Sequence, residues 1–242
     1  FMRRPLDEFV GEEKGITDAW DLLSPRLGAL RKSRLVSVAR LRSAYIRLCL
    51  QDVHDPHNIG ACLRSAEANG LQYVDFVNIF QKFAKTSSTT SRGANHWLDL
   101  SRFTQQKIYI EGLRARGYKI AAAYPSGSSY QLETLPIDQP LAILLGNENA
   151  GLDESWDQHI DYKFSIPMYG ITESYNVSVS AALILYSLTQ RTRREIDPSR
   201  VLLNEEDQKA VLNRWMARHS RNLEKELAVL RRSVKTNEQS LS

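Results

Sequence analysis

Apolar positions along this chain switch repeatedly between a helical and an extended spacing, and the switches set out its elements. Leu22, Leu23, Leu27, Leu30, Leu35 and Val38 recur at helical intervals with arginines between them. They predict a helix over 22–38 with Pro25 in its first turn. Tyr45 to Leu50 has the β-branched and apolar content of a strand. A polar loop over 51–57, broken by Pro56, leads to Asn58, which is placed to cap a helix over 59–69 that Gly70 ends. Tyr73 to Ile79 and Trp97 to Leu100 read as strands. Lys107 to Arg116 reads as a helix stopped by Gly117, and Lys119 to Tyr124 as a further strand. After a turn-rich segment with Pro125, Gly127 and Pro136 comes Leu141 to Leu145, a fully apolar buried strand. A short helix over 153–159, a last strand over 161–167 and a last core helix over 176–191 follow. Beyond Pro198, Asn204 and the acids Glu205, Glu206 and Asp207 mark another helix start. Its stripe of Val211, Leu212, Trp215, Met216, Leu223, Leu227 and Leu230 is suited to packing.

Strands alternating with helices at this spacing predict an α/β fold, a mostly parallel sheet with helices on both faces. Ligands of such sheets sit in the loops at the carboxyl ends of the strands. The expected organisation is a basic helical N-terminal extension over 1–44, a core domain over 45–196 and a helical C-terminal extension over 197–242.

Composition narrows the class. With 42% hydrophobic and 25% charged residues, the chain has the make-up of a soluble globular protein. No apolar run reaches the roughly 18–20 residues of a membrane span. The arginine-bearing N-terminus has no apolar signal core, so a cytoplasmic protein without a membrane partner is expected. Cys49 and Cys62 lie in apolar surroundings and are expected as free thiols.

The net charge of +4 is unevenly spread. From Leu22 to Gln51 there are seven basic residues, Arg26, Arg31, Lys32, Arg34, Arg40, Arg42 and Arg47, and no acidic one. From Ile120 to Tyr162 there is no Lys or Arg but Glu133, Asp138, Glu148, Asp153, Glu154, Asp157 and Asp161. Basic ends around an acidic middle suggest a polyanion held by the ends. The loop over 81–96 adds Lys82, Lys85 and Arg92 among Ser and Thr, groups able to contact phosphates.

Three constellations at strand-to-loop boundaries could carry chemistry. Asn58-Ile-Gly-Ala-Cys-Leu-Arg64 sets an arginine less than two turns into a helix, where it can grip a phosphate. Gly146-Asn-Glu-Asn-Ala-Gly151 pairs glycines that allow tight turns around Glu148. Between Ile166 and Tyr186, Ser174 and Asn176 can bond a ligand or cap a helix. Neither a G-x-G-x-x-G nor a G-x-x-x-x-G-K-[ST] is present, so those nucleotide sites are unsupported. His54 and His57, with Asp52 and Asp55, share one loop with no second ligand cluster, and no metal is expected.

In their order, N-I-G-A-C-L-R, L-G-N-E-N-A-G and I-P-M-x-G-x-x-x-S-Y-N-V-S-x-S-A resemble the signature motifs of the SpoU/TrmH family of SPOUT RNA 2′-O-ribose methyltransferases. The similarity spans about Leu48 to Thr189. The segments Q-D-V-H-D-P-H-N and G-A-N-H-W resemble the TrmH branch, which methylates guanosine 18 in the tRNA D-loop. The resemblance implies a SPOUT fold whose C-terminal part is a deep trefoil knot, an exception to the rule of unknotted chains. It implies S-adenosylmethionine as cofactor, held by Ala123, Leu144, Gly146, Ile166, Met168, Tyr175 and Asn176. It also implies a homodimer with a shared active site. Arg64 would clamp the substrate phosphate and orient the 2′-hydroxyl, Asn58 would position Arg64 or the ribose, and Glu148 and Ser174 would order the substrate side. The RNA would be held by Arg31, Lys32, Arg34, Arg40, Arg42, Lys85 and Arg92. Two positions depart from the family pattern: Tyr175 stands where leucine is usual, and Ala123 where the TrmH branch often has threonine. A ribosomal RNA or another tRNA position is the alternative substrate, and a non-catalytic RNA-binding member a further one.

Overall fold

The computed structural model describes residues 6–10, 18–80, 91–219 and 226–230. In chain order the helices are α1 (Ala19–Leu23), α2 (Ala29–Ala39), α3 (Pro56–Ala68), α4 (Gln106–Ala115), α5 (Val177–Glu195), α6 (Pro198–Val201) and α7 (Glu205–His219). The strands are β1 (Ile46–Gln51), β2 (Tyr73–Val77), β3 (Asp99–Phe103), β4 (Lys119–Ala123), β5 (Tyr130–Gln131), β6 (Leu141–Leu145) and β7 (Tyr162–Ser165). The described chain divides into two compact units, one of residues 6–10 and 43–202, the other of residues 18–42, 203–219 and 226–230.

In the first unit the strands form one seven-stranded sheet in the order β3-β2-β1-β6-β4-β7-β5, with every neighbouring pair parallel. The alternation of side chains along β6 builds two cores. Leu141, Ile143 and Leu145 join Ile59, Leu63, Ile184 and Leu188 of α3 and α5. Ala142 and Leu144 join Tyr109 and Leu113 of α4, with Trp156. Helices therefore cover both faces, as the apolar run of β6 requires of a buried parallel strand. No helix of the described residues is long and apolar enough to cross a membrane.

Several sequence expectations change. Asn58 is not the cap of α3. The Asp55 carboxylate takes the His57 N–H at 2.8 Å, and Pro56 occupies the first turn, where its missing N–H costs nothing. Trp97 follows a short 3₁₀ turn (Ala94–His96), and the strand begins at Asp99. The segment after β4 contains the short edge strand β5. Arg47 is no part of a basic surface. It lies on the α4 face of β1, 2% exposed, in a two-bond pair with Asp75 at 2.8 and 2.9 Å. The rings of Phe9, Tyr73 and Tyr118 surround its guanidinium.

In the second unit the helix expected over 22–38 is broken. α1 runs into a 3₁₀ turn (Ser24–Arg26) that contains Pro25, and α2 begins after Gly28. Asn204 starts α7 as expected, its Oδ1 accepting the Asp207 N–H at 2.8 Å. Ala19, Leu23, Met216 and Leu227 form this unit's core, with Trp215 also buried. Leu223 lies outside the described residues. Arg42, expected to face RNA, is 1% exposed, its guanidinium 5.3 Å from the centre of the Trp215 ring. The ring face offsets part of the cost of burying the cation, and a contact between residues so far apart in sequence is not revealed by a count of basic residues. Arg31, Lys32, Arg34 and Arg40 are exposed on and just after α2.

Candidate functional site

A cavity of about 520 Å³ opens at the carboxyl ends of β4, β6 and β7. That volume is within the range of small-molecule sites. Its wall comes from four segments: Ala123 to Pro125 after β4, Leu145 to Leu152 after β6, Ile166 and Met168 after β7, and Ser174 to Val177 with Ser180 at the start of α5.

The loop after β6 is folded onto itself. Asn147 and Gly151 exchange both backbone bonds at 2.9 Å, and the Asn147 Oδ1 accepts the N–H groups of Asn149 and Ala150. Gly146 permits this closure, because a Cβ there would stand 2.4 Å from the Gly151 carbonyl group. Gly151 itself holds φ +71°, the left-handed region. The loop into α5 ends at Asn176, whose Oδ1 caps the helix by accepting the Ser178 N–H at 2.8 Å.

A polar ladder joins the three constellations. Asn176 Nδ2 donates to Asn58 Oδ1 at 3.1 Å, and Asn58 Nδ2 donates to Glu148 Oε1 at 3.0 Å. The amide orientations are determined, because each Oδ1 is already an acceptor of the preceding donor. Asn58, freed from capping, is thereby turned to the cavity rim. Asp52 and Asp55 direct their carboxylates to backbone N–H groups of Ile79, Phe80 and His57.

On the far wall the Tyr124 hydroxyl donates to Asp157 at 3.1 Å, and Lys163 donates to the same oxygen at 2.6 Å. Burial and the neighbouring Asp157 push the Tyr124 hydroxyl up to about 12. The bonds from Lys163 and Tyr124 hold Asp157 below the usual carboxylate range.

Ala123, Gly146, Glu148, Ile166, Met168, Ser174, Tyr175 and Asn176 all line the cavity. Leu144 does not. Its side chain belongs to the core on the α4 face, and Leu145, one residue on and therefore on the other face, lines the cavity in its place. Arg64 does not line it either. Six residues of helix carry Arg64 about 120° around α3 from Asn58. It is exposed there, with no hydrogen bond or ion pair among the described residues. Arg92 is exposed, and Lys85 lies outside the described residues. Sequence reasoning missed Tyr124 and Asn147 as individual site residues. For Asn147 the signal was present, an Asn whose side chain can bond backbone two residues on.

The wall carries one carboxylate, no Lys, Arg or His side chain, and apolar surfaces from Ala123, Ile166, Met168 and Val177. A parallel α/β sheet with a cavity at its carboxyl edge is the arrangement in which α/β proteins place small-ligand sites. The chain belongs to the SpoU rRNA Methylase family, whose model matches residues 45–186. It is 35% identical over 176 residues to a tRNA (guanosine(18)-2′-O)-methyltransferase of Borreliella burgdorferi, covering 72% of this chain and 79% of that one. Among solved structures, the A. aeolicus TrmH/SpoU tRNA modifying enzyme superposes with a TM-score of 0.70 at 27% identity, over 78% of this chain and 95% of that one. The SpoU methyltransferase AviRb of Streptomyces viridochromogenes, solved in complex with the cofactor AdoMet, superposes with a TM-score of 0.58 at 25% identity, over 63% and 62% of the two chains.

Proposed function

We propose that this protein transfers a methyl group from S-adenosylmethionine to a ribose 2′-hydroxyl of RNA, and that its target is guanosine 18 of tRNA. The observation that carries the reading is the cavity wall: a mixed polar and apolar surface with a single carboxylate and no Lys, Arg or His side chain suits an adenosyl sulfonium and repels no positive charge. When bound there, the cofactor supplies an electrophilic methyl group. Ala123, Gly146, Ile166, Met168, Tyr175 and Asn176 would hold it. Ser174 and the Asn58–Glu148 pair would order the acceptor side of the same cavity. The guanidinium of Arg64 would hold a substrate phosphate as a planar fork and stabilise negative charge developing on the acceptor oxygen.

Arg64 lies outside the cavity of its own chain, which supports a homodimer in which one protomer's arginine serves its partner's cavity. The exposed side of α5 supports the same reading. Val179, Leu183 and Tyr186 repeat at i, i+4 and i+7 beside the cavity, and Tyr169 and Ile171 are almost wholly exposed in the preceding loop. An exposed apolar stripe on a helix whose other side is already buried in the core suits a partner surface. The knot belongs to this proposal as well. The sheet order sets β6 between β1 and β4 and β7 between β4 and β5, so the last strands enter positions framed by earlier ones. We assign the terminal extensions, 1–44 and 197–242, to RNA, with Arg31, Lys32, Arg34 and Arg40 facing its phosphates. A tRNA substrate places the work in the cytoplasm.

Incubation of the full chain with methyl-labelled S-adenosylmethionine and unmodified tRNA tests the reading. Label should appear as 2′-O-methylguanosine at position 18. Label in ribosomal RNA alone would replace tRNA as the substrate, and absence of label in any RNA would refute the activity.

A further inference from the structure

A second cavity, of about 530 Å³, opens at the carboxyl edge of the sheet beside the first. Gln51 and Asp52 at the end of β1, Phe80 beyond β2, and Asp153 and Glu154 after β6 line it. It shares Asn147, Ala150, Gly151 and Leu152 with the first cavity, so the closed loop after β6 is the wall between the two. Phe80, Asp153 and Glu154 belong to the second alone.

A chain of hydrogen bonds through buried side chains ties its parts together. Gln51, 2% exposed, accepts the Asp153 N–H on Oε1 at 3.0 Å and donates from Nε2 to Asp52 Oδ2 at 2.5 Å. Asp52 Oδ1 accepts the N–H groups of Ile79 and Phe80 at 3.1 and 3.2 Å. Asp153 Oδ1 accepts the Ser155 N–H at 3.0 Å, which fixes the turn that carries Glu154. The backbone of Phe80 and the turn of Glu154 are thus held to one strand end, and neither side chain is used in holding them. The Phe80 ring is 70% exposed. Glu154 is exposed, with no hydrogen bond or ion pair among the described residues.

An exposed aromatic ring at a cavity of nucleoside size offers a stacking face for a base. The described lining residues carry the carboxylates of Asp52, Asp153 and Glu154 and no Lys, Arg or His side chain. Such a wall repels phosphate and favours a flat group rich in hydrogen-bond donors. The Asp52 carboxylate is taken up by Ile79, Phe80 and Gln51, which leaves Glu154 as the free acceptor. Of the four RNA bases, only guanine sets two adjacent donors, N1–H and the 2-amino group, on its pairing edge, where one carboxylate can accept both.

Given the RNA methyl transfer proposed above, we propose that this cavity receives an unstacked guanine base of the substrate, its ring on Phe80 and its N1–H and 2-amino group on Glu154. Because a single loop separates the two cavities, a base held here keeps its strand at the mouth of the first.

Equilibrium binding of unmodified tRNA to the full chain tests this, with S-adenosylhomocysteine present so that no transfer occurs. Phe80→Ala should weaken binding about 5- to 150-fold, the worth of one base stacked on an aromatic ring. Phe80→Tyr keeps a ring and should bind as wild type does. Inosine in place of guanosine removes only the 2-amino group. Placed singly at position 18 and at each neighbouring guanosine, it should weaken binding to wild type at one position, and at that position Glu154→Ala should bind both tRNAs alike. Calorimetry without RNA should find cofactor affinity unchanged in Phe80→Ala and Glu154→Ala, because neither residue lines the first cavity. Wild-type tRNA affinity in Phe80→Ala, no sensitive inosine position, or the same inosine penalty in Glu154→Ala would each overturn the base site. So would a loss of cofactor affinity in both alanine variants, which would place their effect in the shared loop. A wild-type protein that methylates no RNA would refute the underlying activity instead.

Discussion

Asn176 donates its side-chain amide to Asn58 Oδ1 at 3.1 Å, across 118 residues of chain. The bond ties the capping residue of α5 to the first turn of α3, and Asn58 carries the contact on to Glu148. Local chemistry at one end, a helix cap, thereby orients a carboxylate on the cavity wall.

Asn58→Asp tests this ladder. The new carboxylate faces Glu148 where the amide donated, and Asn176 remains the single donor between two acids. Loss of a partly buried bond and the added repulsion should cost about 1–3 kcal/mol. Thermal unfolding should fall by about 2–4 °C per kcal/mol for a chain of this length, and methyl transfer should fall with it.

Gly146→Ala should open the folded loop. The added Cβ meets the Gly151 carbon and oxygen at 2.4 Å and the Leu152 nitrogen at 2.6 Å, all backbone atoms that cannot rotate away. Calorimetry should find S-adenosylmethionine binding weakened by about tenfold or more, equal to about 1.4 kcal/mol.

Arg64→Lys should leave cofactor affinity unchanged, because Arg64 does not line the cavity. Turnover should fall steeply, since an ammonium is not a planar fork for phosphate. Steady-state methylation beside cofactor titration separates the two, and near-normal turnover would remove Arg64 from the mechanism.

Arg47→Met should be among the most damaging changes in the sheet. It leaves the Asp75 carboxylate, 0% exposed, without its two-bond partner. The expected loss is about 3–5 kcal/mol in urea unfolding, and Arg47→Met with Asp75→Leu should recover part of it.

Stability should also fall in acid through Asp161. Burial alone would raise its carboxyl, but the N–H of Ile120 and the side chains of Arg114 and Lys119 outweigh burial and hold it below its ordinary value. The unfolded chain then binds the proton more readily than the folded one, so stability rises with pH. The contribution is complete above the ordinary value of about 3.9 and is lost as pH falls through the depressed one. Asp161→Asn should unfold more easily than wild type at pH 7, with the difference narrowing as the pH is lowered below the ordinary carboxylate value, as a series of urea midpoints across that range would record.

The amino-acid sequence by itself determined what depends on neighbours along the chain. The strand over Leu141–Leu145 was legible residue for residue because an unbroken apolar run bounded by Pro140 and Gly146 has few other readings. The stops at Gly70 and Gly117 were legible because both hold positive φ. Ala123, Gly146, Glu148, Ile166, Met168, Ser174, Tyr175 and Asn176 were legible as a group through their motifs, and one cavity unites them. Tertiary structure decided the rest. Arg42 and Arg47 read as surface cations until Trp215 and Asp75, distant in sequence, were placed beside them. Leu145 took the place at the cavity expected of Leu144 because the face a strand residue presents depends on which helix covers it. Asn58 was free to orient Glu148 because Asp55 and Pro56 began the helix earlier, and the partners that give its amide a direction come from two other loops. A side chain's type is written in the chain. Its charge environment, its partner and the way it points are set by residues that only folding brings within hydrogen-bond distance.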